Sequence, residues 1–433
     1  MRFFVSLLSF LVLFTAGAED AQAIRLADYQ PFAYEVKFTN PECALYRYRE
    51  PVRSVSGEAL ESKPKNAYCK QGDAAISGDR PSSPQWKLTE WIRDPATQEI
   101  FFAYLSFSNS KIGEEICRAI EERDVKVRFI LDQGTDLGHA NKLLACKPQS
   151  GREERKPEML LRGGTGNLGY AHNKVFLVNP GDGARFQVAF SSGNLTSGVV
   201  LHHENWHFIT TSPESFFAKA HLCLMNGMMT AGASRGEYSR FMRECRAGII
   251  APEEEDIKTF FIPGDGGAAT RFLGEAVRRS DEIHIAAHRF SYGKLLKFLK
   301  DRLNNEYPVE MHLVVDDDIY WAGQGLTVGA NTRDEHGNVT ALVNEGAAVR
   351  YMQTNHGMSQ FHHNKFILFK GENFDGVFAG AGNLTGAAFE ENFENFYFIT
   401  IPQVVADFHV QYSHLWGELA TKQADMPARN VLP

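Results

Sequence analysis

The amino-acid sequence predicts an α/β protein of two duplicated α-β-α lobes, each a mixed, mainly parallel sheet flanked by helices. Three observations carry that expectation. The polar pattern His172-Asn173-Lys174, Ser191-Ser192-Gly193-Asn194 and Glu204-Asn205 returns as His363-Asn364-Lys365, Gly380-Ala381-Gly382-Asn383 and Glu394-Asn395. Upstream of each copy runs a strand, a helix and a second strand that ends at Asp132 or Asp316. Matching residues keep an offset of 183 to 191, from Phe107 and Phe290 through His172 and His363 to Glu204 and Glu394, so only loop lengths separate the copies. A solenoid is excluded, because its units run only about 20 to 50 residues.

Taken in order, residues 1–23 open with Arg2, an apolar run to Phe14, and small residues at Ala16 and Ala18. That is the pattern of a secretory signal, cleaved after Ala18 or Ala23, and it is too short for a membrane span. Residues 24–83 are rich in Pro, Ser, Gly and charge and are expected to form an irregular extension. Lobe 1, residues 84–231, begins with a short helix at Trp86–Ile92 and a strand at Ile100–Phe107. Ile112, Ile116 and Ile120 then mark one helical stripe, and Val125–Leu131 a second strand. Connections this short imply a right-handed crossover and a parallel strand pair. The His-x-Lys run reads as a strand, whose period of two turns His172 and Lys174 to one face, about 7 Å apart, and Asn173 to the other. A helix at Pro213–Met229 closes the lobe.

A connector at 232–266, with a helical patch at Tyr238–Arg246 and the solvated acidic run Glu253–Asp256, leads to lobe 2 at 267–421. There the order repeats: helix Ala268–Arg279, strand Glu282–Phe290, a helix striped by Leu295, Leu296, Leu299 and Leu303, and strand Val309–Val315. A helix at Gln403–Thr421 ends the lobe, and 422–433 form a tail.

Composition narrows the function classes. With 43% apolar and 23% charged residues the chain can bury a large core, which excludes disorder. Its net charge of −8 becomes −7 once Arg2, Glu19 and Asp20 leave with the signal. A mildly acidic chain lacks the basic stripe that long nucleic acids usually require, although a local cleft can still be basic. The six cysteines all lie within the first 245 residues and, in an exported chain, predict disulfides, with 43–69, 117–146 and 223–245 the simplest neighbouring pairs. None forms a CxxC pair, which argues against a zinc site. The expected product is secreted or periplasmic and monomeric, with no obligate protein partner.

What recurs between the copies is the strongest signal. Core positions drift, while His, Lys, Asn and Glu stay identical; a duplicated fold needs hydrophobic volume at matching positions but no histidine at both. Other patterns carry less. Gly164–Gly169 fits GxGxxG, yet it precedes a strand instead of opening a helix, so it is not a dinucleotide loop. Asn194 and Asn383 each begin a glycosylation sequon, a poor reading beside so polar a cluster. Tyr320 and Trp321 are expected to pack inside more readily than to stack on a base or touch lipid. His202, His203, His207, His288 and His362 lack a full matched set and are expected behind the site or on the surface.

The paired HxK, GSxN-like and downstream acidic elements resemble those of the phospholipase D superfamily of phosphodiesterases, and the upstream strand, helix and strand resemble its half-domain, over about residues 84–421. The resemblance implies two halves whose HxK strands meet at one active site, where one His attacks phosphorus to give a phosphohistidine and the other protonates the leaving oxygen and then activates water. It casts His172 and His363 in those roles in unassigned order, Lys174, Lys365, Asn194 and Asn383 as phosphate ligands, and Glu204 and Glu394 as orienting carboxylates. The chemistry suits these residue types: ammonium and amide groups offset the charge of a phosphodiester, and a carboxylate orients an imidazole for nucleophilic or acid–base work. No metal or cofactor is implied.

Two departures stand out. The family's Asp five residues after the Lys is Asn179 in one copy and Lys370 in the other, a loss shared with tyrosyl-DNA phosphodiesterases, and the second serine is Ala381. The His-to-Asn spacings of 22 and 20 exceed the usual one and imply a longer hairpin in each lobe. Three functions remain: a secreted hydrolase of glycerophospholipid head groups with peripheral membrane contact, which export and acidity favour; a metal-independent nucleic-acid phosphodiesterase; and an inactive envelope binding protein on the same fold.

Overall fold

The computed structural model describes residues 33–41, 47–62, 78–164, 169–181, 185–250, 252, 256–325, 332–354 and 360–429. The signal segment, Cys43, Cys69 and the Glu253–Glu255 stretch lie outside them.

In the first half the strands are β1 (Ala33–Thr39), β2 (Arg47–Arg53), β3 (Ala59–Ser62), β4 (Glu99–Tyr104), β5 (Lys126–Asp132), β6 (Glu158–Arg162), β7 (Lys174–Val178), β8 (Phe186–Ser191) and β9 (Glu204–Thr211). The helices are α1 (Pro84–Arg93), α2 (Ser110–Arg123), α3 (Gly138–Leu144), α4 (Gly198–Leu201), α5 (Phe216–Thr230) and α6 (Arg235–Ala247). The second half carries β10 (Ile257–Ile262), β11 (Glu282–Ala287), β12 (Glu310–Asp316), β13 (Ala348–Met352), β14 (Lys365–Gly371), β15 (Phe374–Gly380), β16 (Glu394–Ile399) and β17 (Thr421–Lys422). Its helices are α7 (Gly266–Arg279), α8 (Gly293–Leu303), α9 (Asp317–Gly323), α10 (Thr332–Asn344), α11 (Gly386–Glu390) and α12 (Pro402–His414).

Local chemistry sets the helix ends. Ser83 caps α1 through Gln85 N, with Pro84 opening the first turn, and Asn109 caps α2 through Ile112 N. The isoleucine stripe of α2 is buried as its spacing demands.

The two sheets have the same design, in the orders β1-β9-β8-β7-β4-β5-β6 and β10-β16-β15-β14-β11-β12-β13-β17. Both are mixed, as expected, but antiparallel pairs outnumber parallel ones. Only the crossover strands β4-β5-β6 and β11-β12-β13 run parallel. The HxK strand and the two after it return through short connections, and such connections give antiparallel neighbours.

Three stretches outside the expected lobes join these sheets. In the extension read as irregular, β1 pairs antiparallel with β9, placing Tyr34, Val36 and Phe38 against the core. In the connector, β10 pairs with β16 the same way, Ile262 opposite Glu394 as Thr39 lies opposite Glu204. At the start of the tail Lys422, with Thr421 before it, forms β17 beside β13; the helix expected to reach Thr421 ends at His414. The duplicated unit therefore includes a leading edge strand; the insertion between β1 and α1 breaks the constant offset that would have exposed it. The connector is also tied down, since Cys245 of α6 is bonded to Cys223 of α5. Cys117 and Cys146 form the other expected bond among the described residues.

The core explains why the lobes form one body. The inner faces of both sheets, with α5 and α12 between them, make a single cluster that includes Phe190, Phe217, Phe366, Tyr397 and Phe408. Phe190 of one lobe stacks on Tyr397 of the other, centroids 3.7 Å apart. Each outer face has its own core, under α1 and α2 in lobe 1 and under α7, α8 and α10 in lobe 2. Tyr320 and Trp321 are buried in the latter.

Candidate active site

The HxK strands sit in mid-sheet, but each begins at its lysine, one step beyond the expected start. The histidine just before it is held by the opposite lobe. His172 N donates to Phe393 O at 2.9 Å, and His363 N donates to His203 O at 3.0 Å. These are two short parallel bridges, Ala171 with Phe393 and His362 with His203, equivalent under the pseudo-twofold.

The buried aspartates ending β5 and β12 fix the same turns from within their own lobes. Asp132 accepts from Ala171 N at 2.8 Å and Asp316 from His362 N at 2.7 Å. Each thereby pins the peptide immediately before a site histidine. The duplication marked these residues, but their task was not legible from spacing.

The carboxylates are exchanged between lobes. His172 Nδ1 lies 2.8 Å from Glu394 Oε2, and His363 Nδ1 lies 3.2 Å from Glu204 Oε1. Both glutamates are fully buried and the histidines nearly so. A carboxylate on Nδ1 leaves Nε2 as the ring atom available for chemistry.

Lys174 and Lys365 are also buried. Lys174 Nζ lies 3.0 Å from His172 Nε2, and Lys365 Nζ donates to His363 O at 2.9 Å and Ser192 O at 3.2 Å. Burial holds the Lys174 ammonium down to about 8 against the pull of Glu394 and Glu204. Lys365 lies well below its ordinary value through burial, with Lys174 adding to the effect. Burial also lowers His172, against the pull of Glu394, while His363 is pushed well down by burial, Lys365, His288 and His202. An anionic guest among these four groups would favour their charged forms.

Asn194 and Asn383 follow β8 and β15, and each Oδ1 is buried with no hydrogen-bond partner. Gly193 must be a glycine here: an added Cβ would sit 1.7 Å from Glu204 Oε2. Gly382 is equally constrained, by the ring of Phe396.

Sequence reasoning missed the asparagines that close the interface. Asn205 Nδ2 donates to Asn364 Oδ1 at 3.0 Å, and Asn395 Oδ1 accepts from Lys174 N at 2.8 Å, both across the lobes. Their identity in both copies was the available signal. His202 was also underestimated: it is buried, its Nδ1 is 2.9 Å from Glu204 Oε1, and its ring packs 5.3 Å from His363. His288 brings a third imidazole, 4.9 Å from His363. His203, His207 and His362 are buried, not on the surface.

Comparison with known proteins adds the family. A family model described as "Cardiolipin synthase, PLD-like domain" matches residues 272–416, the greater part of lobe 2, and lobe 1 repeats the same sheet and site. Lobe 2 is thereby similar to the PLD-like domains of the phospholipase D superfamily, and lobe 1 shares its fold. No curated protein matches it in sequence. Phosphatidylserine synthase from Haemophilus influenzae Rd KW20 shares the fold, with a TM-score of 0.59 at 13% identity over 79% of this chain and 86% of that one. Polyphosphate kinase from Porphyromonas gingivalis gives 0.48 at 12% over 77% of this chain and 49% of that one, so the chain spans about half the kinase's length. Yeast tyrosyl-DNA phosphodiesterase gives 0.47 at 9% over 72% and 86%.

Within that superfamily the departure at the HKD aspartate falls away from the imidazoles, at the far end of each HxK strand. Asn179 accepts from Gln98 N and Glu99 N and donates to Ala96 O, closing a turn. Lys370 pairs with Glu282 on the exposed surface.

Proposed function

We propose that this chain is an exported phosphodiesterase that hydrolyses glycerophospholipid head groups through a phosphohistidine, with the eight residues His172, His363, Lys174, Lys365, Asn194, Asn383, Glu204 and Glu394 as its machinery. One observation carries the reading: two imidazoles, each oriented by the other lobe's buried carboxylate and each beside a buried lysine. One Nε2 attacks phosphorus, a P–N bond forms, and the P–O bond to the leaving group breaks as the other imidazole gives that oxygen its proton. The second imidazole then takes a proton from water, whose oxygen attacks phosphorus and releases the first ring. Lys174 and Lys365 balance the charge on the non-bridging oxygens, and the Asn194 and Asn383 amides donate hydrogen bonds to them.

The lipid assignment draws support from the family description, from the phosphatidylserine synthase fold and from the acidic net charge. Two disulfides fit an oxidising compartment, and no helix among the described residues is long and apolar enough to cross a membrane. The absent HKD aspartate favours a second reading, a nucleic-acid phosphodiesterase. The test is head-group release from defined phospholipid vesicles alongside cleavage of short DNA and RNA, all in EDTA. Release lost in His172→Ala and His363→Ala supports the lipid reading, nucleic-acid cleavage supports the second, and neither activity overturns both.

A further inference from the structure

We infer that lobe 2 carries a transition-metal site, suited to Zn²⁺, on the face of its sheet under α12, formed by His284 of β11 with Glu310 and His312 of β12. His284 and His312 are register partners on parallel neighbouring strands, and Glu310, two residues before His312, points to the same face. One ligand atom from each lies within 4.8 Å of the others. That spacing suits donors sharing an ion at about 2.0–2.2 Å, with water completing a tetrahedron.

Hydrogen bonding does not account for this gathering. His284 Nε2 is buried without a hydrogen-bond partner, 3.9 Å from Glu310 Oε1, and His312 Nδ1 is 3.5 Å from the same oxygen. Nor does the fold demand it: at the offsets of the duplication lobe 1 has Phe101, Arg128 and Lys126 in these positions, and Phe101 pairs with Arg128 as His284 pairs with His312. The rings are also preset. His284 stacks on Tyr412 at 4.7 Å and His312 on Trp416 at 4.4 Å, so few rotamers are left to freeze on binding. Glu310 is exposed and gives an ion its path.

The proposal does not depend on the phosphodiesterase reading. Zn²⁺ titration of tag-free protein by calorimetry, with Co²⁺ absorption as the probe of geometry, tests it. The variants are His312→Phe, which keeps a ring on Trp416 but removes its nitrogens, Glu310→Gln at an exposed position, and His202→Asn, which disables the buried cluster His202-Glu204-His363. We expect one Zn²⁺ whose binding weakens at least about tenfold in His312→Phe and Glu310→Gln and persists in His202→Asn. Binding unchanged in His312→Phe, binding lost only in His202→Asn, or no uptake by the unaltered protein would each overturn it.

Discussion

Around His172 and around His363 the same framework carries different neighbours. Glu394 receives one imidazole and the amide of Asn392, with Phe396 alongside. Glu204 is shared by two imidazoles, His202 and His363, and also accepts from the indole of Trp206 at 3.0 Å. At matching offsets Asn392 replaces His202, Phe396 replaces Trp206, Leu105 replaces His288 and Tyr170 replaces Phe361. Duplication thus preserved the paired His, Lys, Asn and Glu and the bonds that exchange them, and let the walls diverge. Chemistry common to both steps requires symmetry; recognition of a substrate with two unlike ends requires its loss.

This comparison can be broken or sharpened by experiment. The largest effect is expected from the shared parts: His172→Ala and His363→Ala should each lower phosphodiester turnover by about 10⁴-fold or more, and unequal residual rates in burst experiments would tell attacker from acid. Glu394→Gln should cost roughly 10²- to 10⁴-fold, because among the described residues Glu394 is the one carboxylate bonded to His172. Glu204→Gln should fall in the same range and also remove the carboxylate beside His202. The divergent wall is expected to matter less. His202→Asn, which copies Asn392 into the other half, should lower kcat/KM by less than about tenfold; a larger loss would make His202 a reacting group.

Two further measurements concern the framework. Asn205→Ala removes a fully buried cross-lobe bond and should destabilise the protein by about 1–3 kcal/mol in denaturant unfolding. The pH dependence has a definite sign. Burial lowers His207 to about 3 and His221 and His362 to about 4, so below pH 6.5 the unfolded chain takes up protons that the native state refuses. Thermal stability should therefore fall as pH drops from 6.5 toward 4. For Lys174, held at about 8, the ammonium is lost above that value, and kcat/KM for an anionic substrate should decline there.

Much of this was readable in the sequence where two copies could be compared. The paired polar residues of the candidate site, the crossover units and the two disulfides within the described residues followed from repetition, hydrophobic period and cysteine spacing. The edge strands β1 and β10 did not, because the insertion between β1 and α1 upsets the offset that would have matched them. The antiparallel majority was missed because adjacent strands show their direction only through the length of what joins them. The exchange of Glu204 and Glu394 between lobes was out of reach, since a sequence names a carboxylate without saying whose histidine it will meet. His202 and His288 were passed over because they have no twin, although asymmetry is where such residues are found.

That exchange also bears on descent. A half-length forerunner folded alone would have presented its histidine without the partner acid and its acid without the histidine, leaving both functions idle. Two identical copies in face-to-face contact would have supplied each other. Gene fusion would then have altered only the tether, and freedom for each half to mutate separately came afterwards.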